Sequence, residues 1–114
     1  MTKILSGIGW LLLAAICVPG RAADGNAANG KRLYTAYGCY QCHGREAQGS
    51  SATGPRIGPN PVIFAAFARY VRQPNGQMPP YIRKVVSEAE LVDIYAFVQA
   101  LPQPAKVQDI PLPR

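Results

Sequence analysis

The stretch Cys39-Tyr40-Gln41-Cys42-His43 governs how the rest of the chain is read. Cys-x-x-Cys-His is the attachment signature of a c-type haem. On a helical turn, residues three and four apart share a face, so Cys39, Cys42 and His43 point the same way. Two thiols so placed can add to two vinyl groups along one porphyrin edge, with the His43 imidazole beneath the ring. Other chemistries also use such a cysteine pair. A thioredoxin-like redox motif needs a βαβ context, and no such pattern flanks this one. A structural zinc ion needs four ligands, and beyond residue 22 the chain offers two cysteines and one histidine. On the pair alone, a plain disulfide stays open.

Two lone residues narrow the choice. His43 is the only histidine of the chain, and Met78 is the only methionine after the initiator. Iron held by histidine on one face can take a methionine thioether on the other, a pairing that raises the reduction potential. Met78 sits in Gln77-Met78-Pro79-Pro80-Tyr81, where the prolines fix φ and keep the backbone extended. A polar, proline-stiffened loop is a poor place for a methionine that merely fills a core gap.

Around these loops the pattern is helical. A first helix is expected over about Ala27–Tyr37, capped by Asp24 or Asn26 and ended by Gly38. A second is expected to start at Asn60-Pro61, a cap followed by proline at the first helical position, and to stop at Gln73-Pro74. Its stripe is Phe64, Phe67, Ala68 and Val71. The third opens on the capping box Ser87-Glu88-Ala89-Glu90, carries Leu91, Ile94, Tyr95, Val98 and Leu101 on its apolar face, and closes at Pro102. Nothing reads as a sustained strand, so the fold class is all-α. Residues 44–59 and 73–81 are glycine- and proline-rich loops, long for so small a domain and therefore expected to be functional.

The ends of the chain belong to other tasks. Met1-Thr2-Lys3 followed by an apolar run to Val18 and by Gly20-Arg21-Ala22 reads as a signal peptide over 1–22, cleaved after Ala22. The rival is an uncleaved anchor, but the run is short for a bilayer and no basic stop-transfer cluster follows. Cys17 is preceded by Ile16 where a lipoprotein signal would place a small residue. The expected domain is then 23–101, with a proline-rich tail over 102–114. Cleavage would leave 92 residues and lower the formal charge from +6 to +4. Pairs such as Lys31-Arg32 and Arg83-Lys84 are too short for a nucleic-acid footprint, so no nucleic-acid partner is expected. A domain of this size has little core to spare and calls for a staple such as a disulfide, metal or large apolar cofactor.

Taken together, Cys39-Tyr40-Gln41-Cys42-His43-Gly44, Thr53-Gly54-Pro55-Arg56-Ile57 and Gln77-Met78-Pro79-Pro80-Tyr81, in this order, resemble a small class I cytochrome c. The short interval from His43 to Met78 is like that of the compact bacterial members. The resemblance implies one haem c held by thioethers at Cys39 and Cys42 and by iron ligands His43 and Met78. It further implies a Pro55 carbonyl accepting from the His43 Nδ1–H, and Arg56 and Tyr81 binding a propionate. A Gly30/Leu33/Tyr34 face would cross the Tyr95/Phe97 region of the last helix. The haem faces would pack against Leu33, Tyr34, Phe64, Phe67 and Leu91.

The function implied is electron transfer without chemistry on a substrate, since His/Met ligation leaves the iron no open position. Acidic residues are scattered and there is no second histidine to act as a base. The motif run and proline-rich end resemble the small cytochrome subunits of periplasmic dehydrogenases, which implies a periplasmic location, a dehydrogenase partner and a downstream acceptor. A freely diffusing shuttle is the alternative, and a haem peroxidase or gas sensor is the alternative of another class. The tail reads equally as an arm along a partner or a frayed end.

Overall fold

The computed structural model describes residues 24–112, so the leader expected over 1–22 lies outside the described residues. Within them are four α-helices and no strand: α1 (Ala27–Ala36), α2 (Tyr40–His43), α3 (Phe64–Arg72) and α4 (Glu88–Ala100). The all-α expectation holds. No helix among the described residues is long and apolar enough to cross a membrane.

The helix ends follow from their caps. Asn26 accepts from the Asn29 N–H at 3.0 Å and starts α1. At α4, Ser87 Oγ accepts from Glu90 N–H while Ser87 N–H donates to the Glu90 carboxylate at 2.8 Å, which closes the box read from the sequence. Leu101 turns extended ahead of Pro102, as the residue before a proline must.

The start of α3 departs from expectation. It begins at Phe64, with Ile63 extended (φ −51°, ψ 146°), and not at Asn60-Pro61. The groups that would have opened a helix at Asn60 are engaged elsewhere. The Asn60 amide pairs with Gln103 of the tail, accepting from its Nε2 at 3.1 Å. The Val62 carbonyl accepts from Tyr95 Oη at 3.0 Å, which ties this segment to α4. Asn60 therefore clips the tail to the domain. Beyond that clip, the tail forms a 3₁₀ turn at Val107–Asp109 and is exposed throughout.

The core is the crossing of α1 on α4. Leu33, Tyr34, Leu91, Ile94, Phe97 and Val98 are buried there, and the Tyr34 and Phe97 rings lie 5.2 Å apart. Gly30 makes the crossing possible. A Cβ on it would overlap the Asp93 carbonyl and come within 2.9 Å of Phe97 Cβ. Gly30→Val should therefore cost about 3 kcal/mol or more through overpacking, read as a lowered denaturation midpoint with unchanged m. Tyr95, expected at this crossing, faces α3 instead, 5.2 Å from both Phe64 and Phe67. Asp93 and Phe97 are four apart and share a face, and Tyr95 lies between them on the opposite one.

Two carboxylates secure the same junction. Asp93 accepts from Asn29 Nδ2 at 2.8 Å and Asn26 N–H at 2.7 Å, and these bonds hold it below its ordinary pKa. Glu90 is lowered by the Ser87 N–H and then by Tyr37 Oη, which donates at 2.8 Å. A depressed carboxylate stabilises the fold above its unfolded pKa, and that stabilisation is lost as pH falls through the folded value. The thermal midpoint should thus hold steady near neutrality and fall below about pH 4, with a shallower fall in Asp93→Ala.

Candidate functional site

The short helix α2 is held by what surrounds it. Cys39 N–H bonds back to the Tyr34 carbonyl at 3.1 Å as α1 ends, and His43 N–H bonds to the Cys39 carbonyl at 3.0 Å. A four-residue helix leaves its carbonyls unpaired, and the following loop supplies the donors. Thr53 Oγ1 donates to the Cys42 carbonyl at 2.7 Å and Gly49 N–H to the His43 carbonyl at 2.7 Å. Ile57 and Gly58 N–H both reach the carbonyl of fully buried Ala47, which ties the loop down. Tyr34 Oη donates to the Gly44 carbonyl at 2.8 Å. Burial pushes its phenol well above the ordinary value, so it stays a donor.

Pro55 lies where the resemblance implied. Its carbonyl is 2.8 Å from His43 Nδ1. A carbonyl oxygen only accepts, so Nδ1 carries the proton, and in the neutral imidazole Nε2 is then the nitrogen with the lone pair. A Cβ on Gly54 would stand 3.3 Å from the imidazole, so the loop fits closely against the ring. Cys39 and Cys42 are not joined in a disulfide.

These groups open onto a cleft of about 1000 Å³. One wall carries Cys39, Cys42 and His43, and apolar Phe67, Val71, Leu91 and Ile94 form the interior. Met78 and Arg56 line the same cleft. Of the five residues expected against the haem, Tyr34, Phe67 and Leu91 are there. Leu33 lies in the α1–α4 core, and Phe64, one turn before Phe67, packs on Tyr95 outside the cleft lining.

The Met78 loop is closed at its base by several bonds. Tyr81 N–H bonds to the Val71 carbonyl at 3.0 Å, and Tyr70 Oη donates to the Asn75 carbonyl at 2.7 Å. Tyr81 Oη donates to the Tyr37 carbonyl at 2.8 Å. That spends its one donor within the protein, so its place is as a loop anchor and not as the propionate donor expected. Arg56 is exposed at the cleft and, among the described residues, makes no ion pair or side-chain hydrogen bond, which leaves its guanidinium free for an anionic edge.

Sequence reasoning missed Arg72. Its side chain is 11% exposed, and Nη1 donates to the carbonyls of Tyr81 at 2.8 Å and Val86 at 2.6 Å. Nη2 reaches Glu88 at 3.2 Å, while Nε is buried without a partner. One side chain thus pins the segment that follows the Met78 loop to α3. Arg72→Met would leave two part-buried carbonyls unpaired, at a cost of about 2–3 kcal/mol. Arg72→Lys should recover only part of it, since an ammonium lacks the planar fork. Urea unfolding of the three proteins measures both.

The cleft tests well for a haem. It is apolar inside, carries two thiols and an imidazole with a free Nε2 on one wall, and has a thioether and a guanidinium elsewhere on its lining. Among the described residues no three His, Cys, Asp or Glu side chains gather as a metal-ion site, so zinc would find no closed ligand set. An all-α shell with such a wall suits a haem-binding domain. Neither the curated proteins nor the solved structures gave a match. The family model described as cytochrome c oxidase, cbb3-type, subunit III matches residues 25–98, and the chain belongs to this family of class I c-type cytochromes. It is an electron-transfer haem protein.

Proposed function

We propose that the chain is an exported, periplasmic carrier with one covalent haem c, ligated by His43 and Met78, that takes electrons from a dehydrogenase as its cytochrome subunit. The observation that carries this reading is the His43–Pro55 bond of 2.8 Å on a cleft that Met78 also lines. Cys39 and Cys42 would hold the haem through their sulfurs, His43 through Nε2, and Met78 through its thioether. When bound, the haem supplies a one-electron couple at its iron. Pro55 fixes the imidazole orientation and strengthens His43 as a donor. Tyr81, Tyr70 and Arg72 keep the Met78 loop in place between oxidation states. Phe67, Leu91 and Ile94 exclude water, which limits reorganisation when the charge changes.

A second reading follows from the family description, which names an oxidase subunit. There the same carrier would hand electrons to a terminal oxidase. Purification from the native periplasm tests both. The expected result is a red protein whose ferric spectrum shows the weak long-wavelength band of Met–Fe ligation, together with a dehydrogenase chain. A monomer with no companion at any concentration would sink the subunit reading in favour of a diffusing shuttle. Rapid carbon monoxide binding to the reduced protein would favour the sensor class.

A further inference from the structure

The chain from Ala47 to Ser87 runs 41 residues without an acidic side chain, and it carries Arg56, Arg69, Arg72, Arg83 and Lys84. Three of these cations meet at one place outside the haem cleft. A second depression, of about 460 Å³, lies between α3 and the start of α4. Phe64 and Ala68 give it apolar surface, while Arg69, Arg72 and Arg83 give it charge. Glu88 is the only acidic residue there, set 3.2 Å from Arg72 and 3.5 Å from Arg83. One carboxylate against three guanidinium groups leaves the groove positive.

The groove and the cleft use opposite sides of one helix. Ala66, Phe67, Tyr70 and Val71 line the cleft, and Phe64, Ala65, Ala68, Arg69 and Arg72 line the groove. At about 100° per residue the centres of these two sets stand nearly half a turn apart, with Val71 and Phe64 at their shared edge. A molecule seated in the groove would therefore leave the cleft clear.

We propose that this groove docks an acidic segment of a protein partner, with carboxylates on Arg69 and Arg83 and a neighbouring apolar side chain on Phe64 and Ala68. Charge complementarity argues for the occupant. Guanidinium groups on two different elements suit carboxylates, which they can bind in a bidentate fork. The recess and its half-buried phenylalanine suit a protruding side chain better than the flat face of an anionic bilayer. The partner's being a redox protein rests on the electron-carrier reading, whereas the groove's preference for acidic peptide does not. Such docking would let a partner stay bound while electrons pass at the cleft.

The test uses the reduced, ¹⁵N-labelled holoprotein and the peptide Ac-Glu-Glu-Phe-Glu-Glu-amide. Saturable shifts are expected on the Phe64–Arg72 helix and on the Arg69 and Arg83 Nε–H groups. Binding should weaken about tenfold in Arg69→Glu/Arg83→Glu. It should also weaken as salt rises from about 10 to about 100 mM, where the Debye length shortens from about 30 to about 10 Å. The control Lys31→Glu/Arg32→Glu makes the same change in net charge on α1 and should bind as the parent does. Equal weakening in the control, shifts centred on Arg56 and the cleft, no saturation, or preference for phosphatidylserine vesicles over the peptide would each overturn the proposal. The visible spectrum and reversible reduction of the same samples report the haem. A failure of the electron-carrier reading would appear there and not in the titration.

Discussion

A Cys39→Ala/Cys42→Ala chain will carry no covalent haem and will show neither native helicity nor a cooperative thermal transition. The folded chain buries little on its own. Among the described residues its core is nine side chains, and most of them belong to the α1–α4 crossing. By contrast α3 touches that core chiefly through Phe67, and its other apolar contacts are half-buried. The loops on either side of α3 face the cleft and contribute few buried side chains. Domains of this size have net stabilities of only about 5–15 kcal/mol even when complete. Leaving a cleft of about 1000 Å³ lined by Phe67, Val71, Leu91 and Ile94 open to water removes a large share of the apolar burial. Circular dichroism against temperature makes the comparison with the holoprotein. A sharp, helical unfolding transition in the double variant would show that α1 and α4 suffice without haem.

How much of this was legible beforehand depends on where each interaction is encoded. Ser87 and Glu90, or Asn26 at the head of α1, are local signals, and local signals name helix ends well. The Asn60-Pro61 signal is just as local but lost to long-range partners, because Gln103 and Tyr95 hold that segment extended. At the site, Cys39, Cys42 and His43 declare themselves by spacing, and Met78 by being alone. Pro55 was reached through the family resemblance, since nothing in a proline predicts which donor its carbonyl will meet. Tyr81 was placed at the cleft correctly, but its hydroxyl turned to the Tyr37 carbonyl 44 residues back. Arg72 was invisible for a related reason. Its main partners are backbone carbonyls, which every residue has, so no side-chain pattern announces the clamp.

The Met78 side chain should prove the most consequential for function. In Met78→Ala the holoprotein will keep its covalent haem, lose the long-wavelength ferric band, and shift its midpoint potential downward. The shift should be on the order of a hundred millivolts or more, within the roughly 0.8 V that axial ligation spans. The sign follows from the donor removed, because a thioether opposite histidine favours the ferrous state. Stability should suffer less than function. The bonds closing the Met78 loop come from Tyr81, Tyr70 and Arg72, and all of them survive the substitution. The reduced variant should also bind carbon monoxide readily, which the parent should not. Spectropotentiometry and carbon monoxide titration of the two proteins test the assignment together. A parent without that ferric band, together with a potential unchanged by the substitution, would mean that another side chain takes that face of the iron, and with His43 the only histidine the search would turn to the tyrosines of the cleft, Tyr70 first.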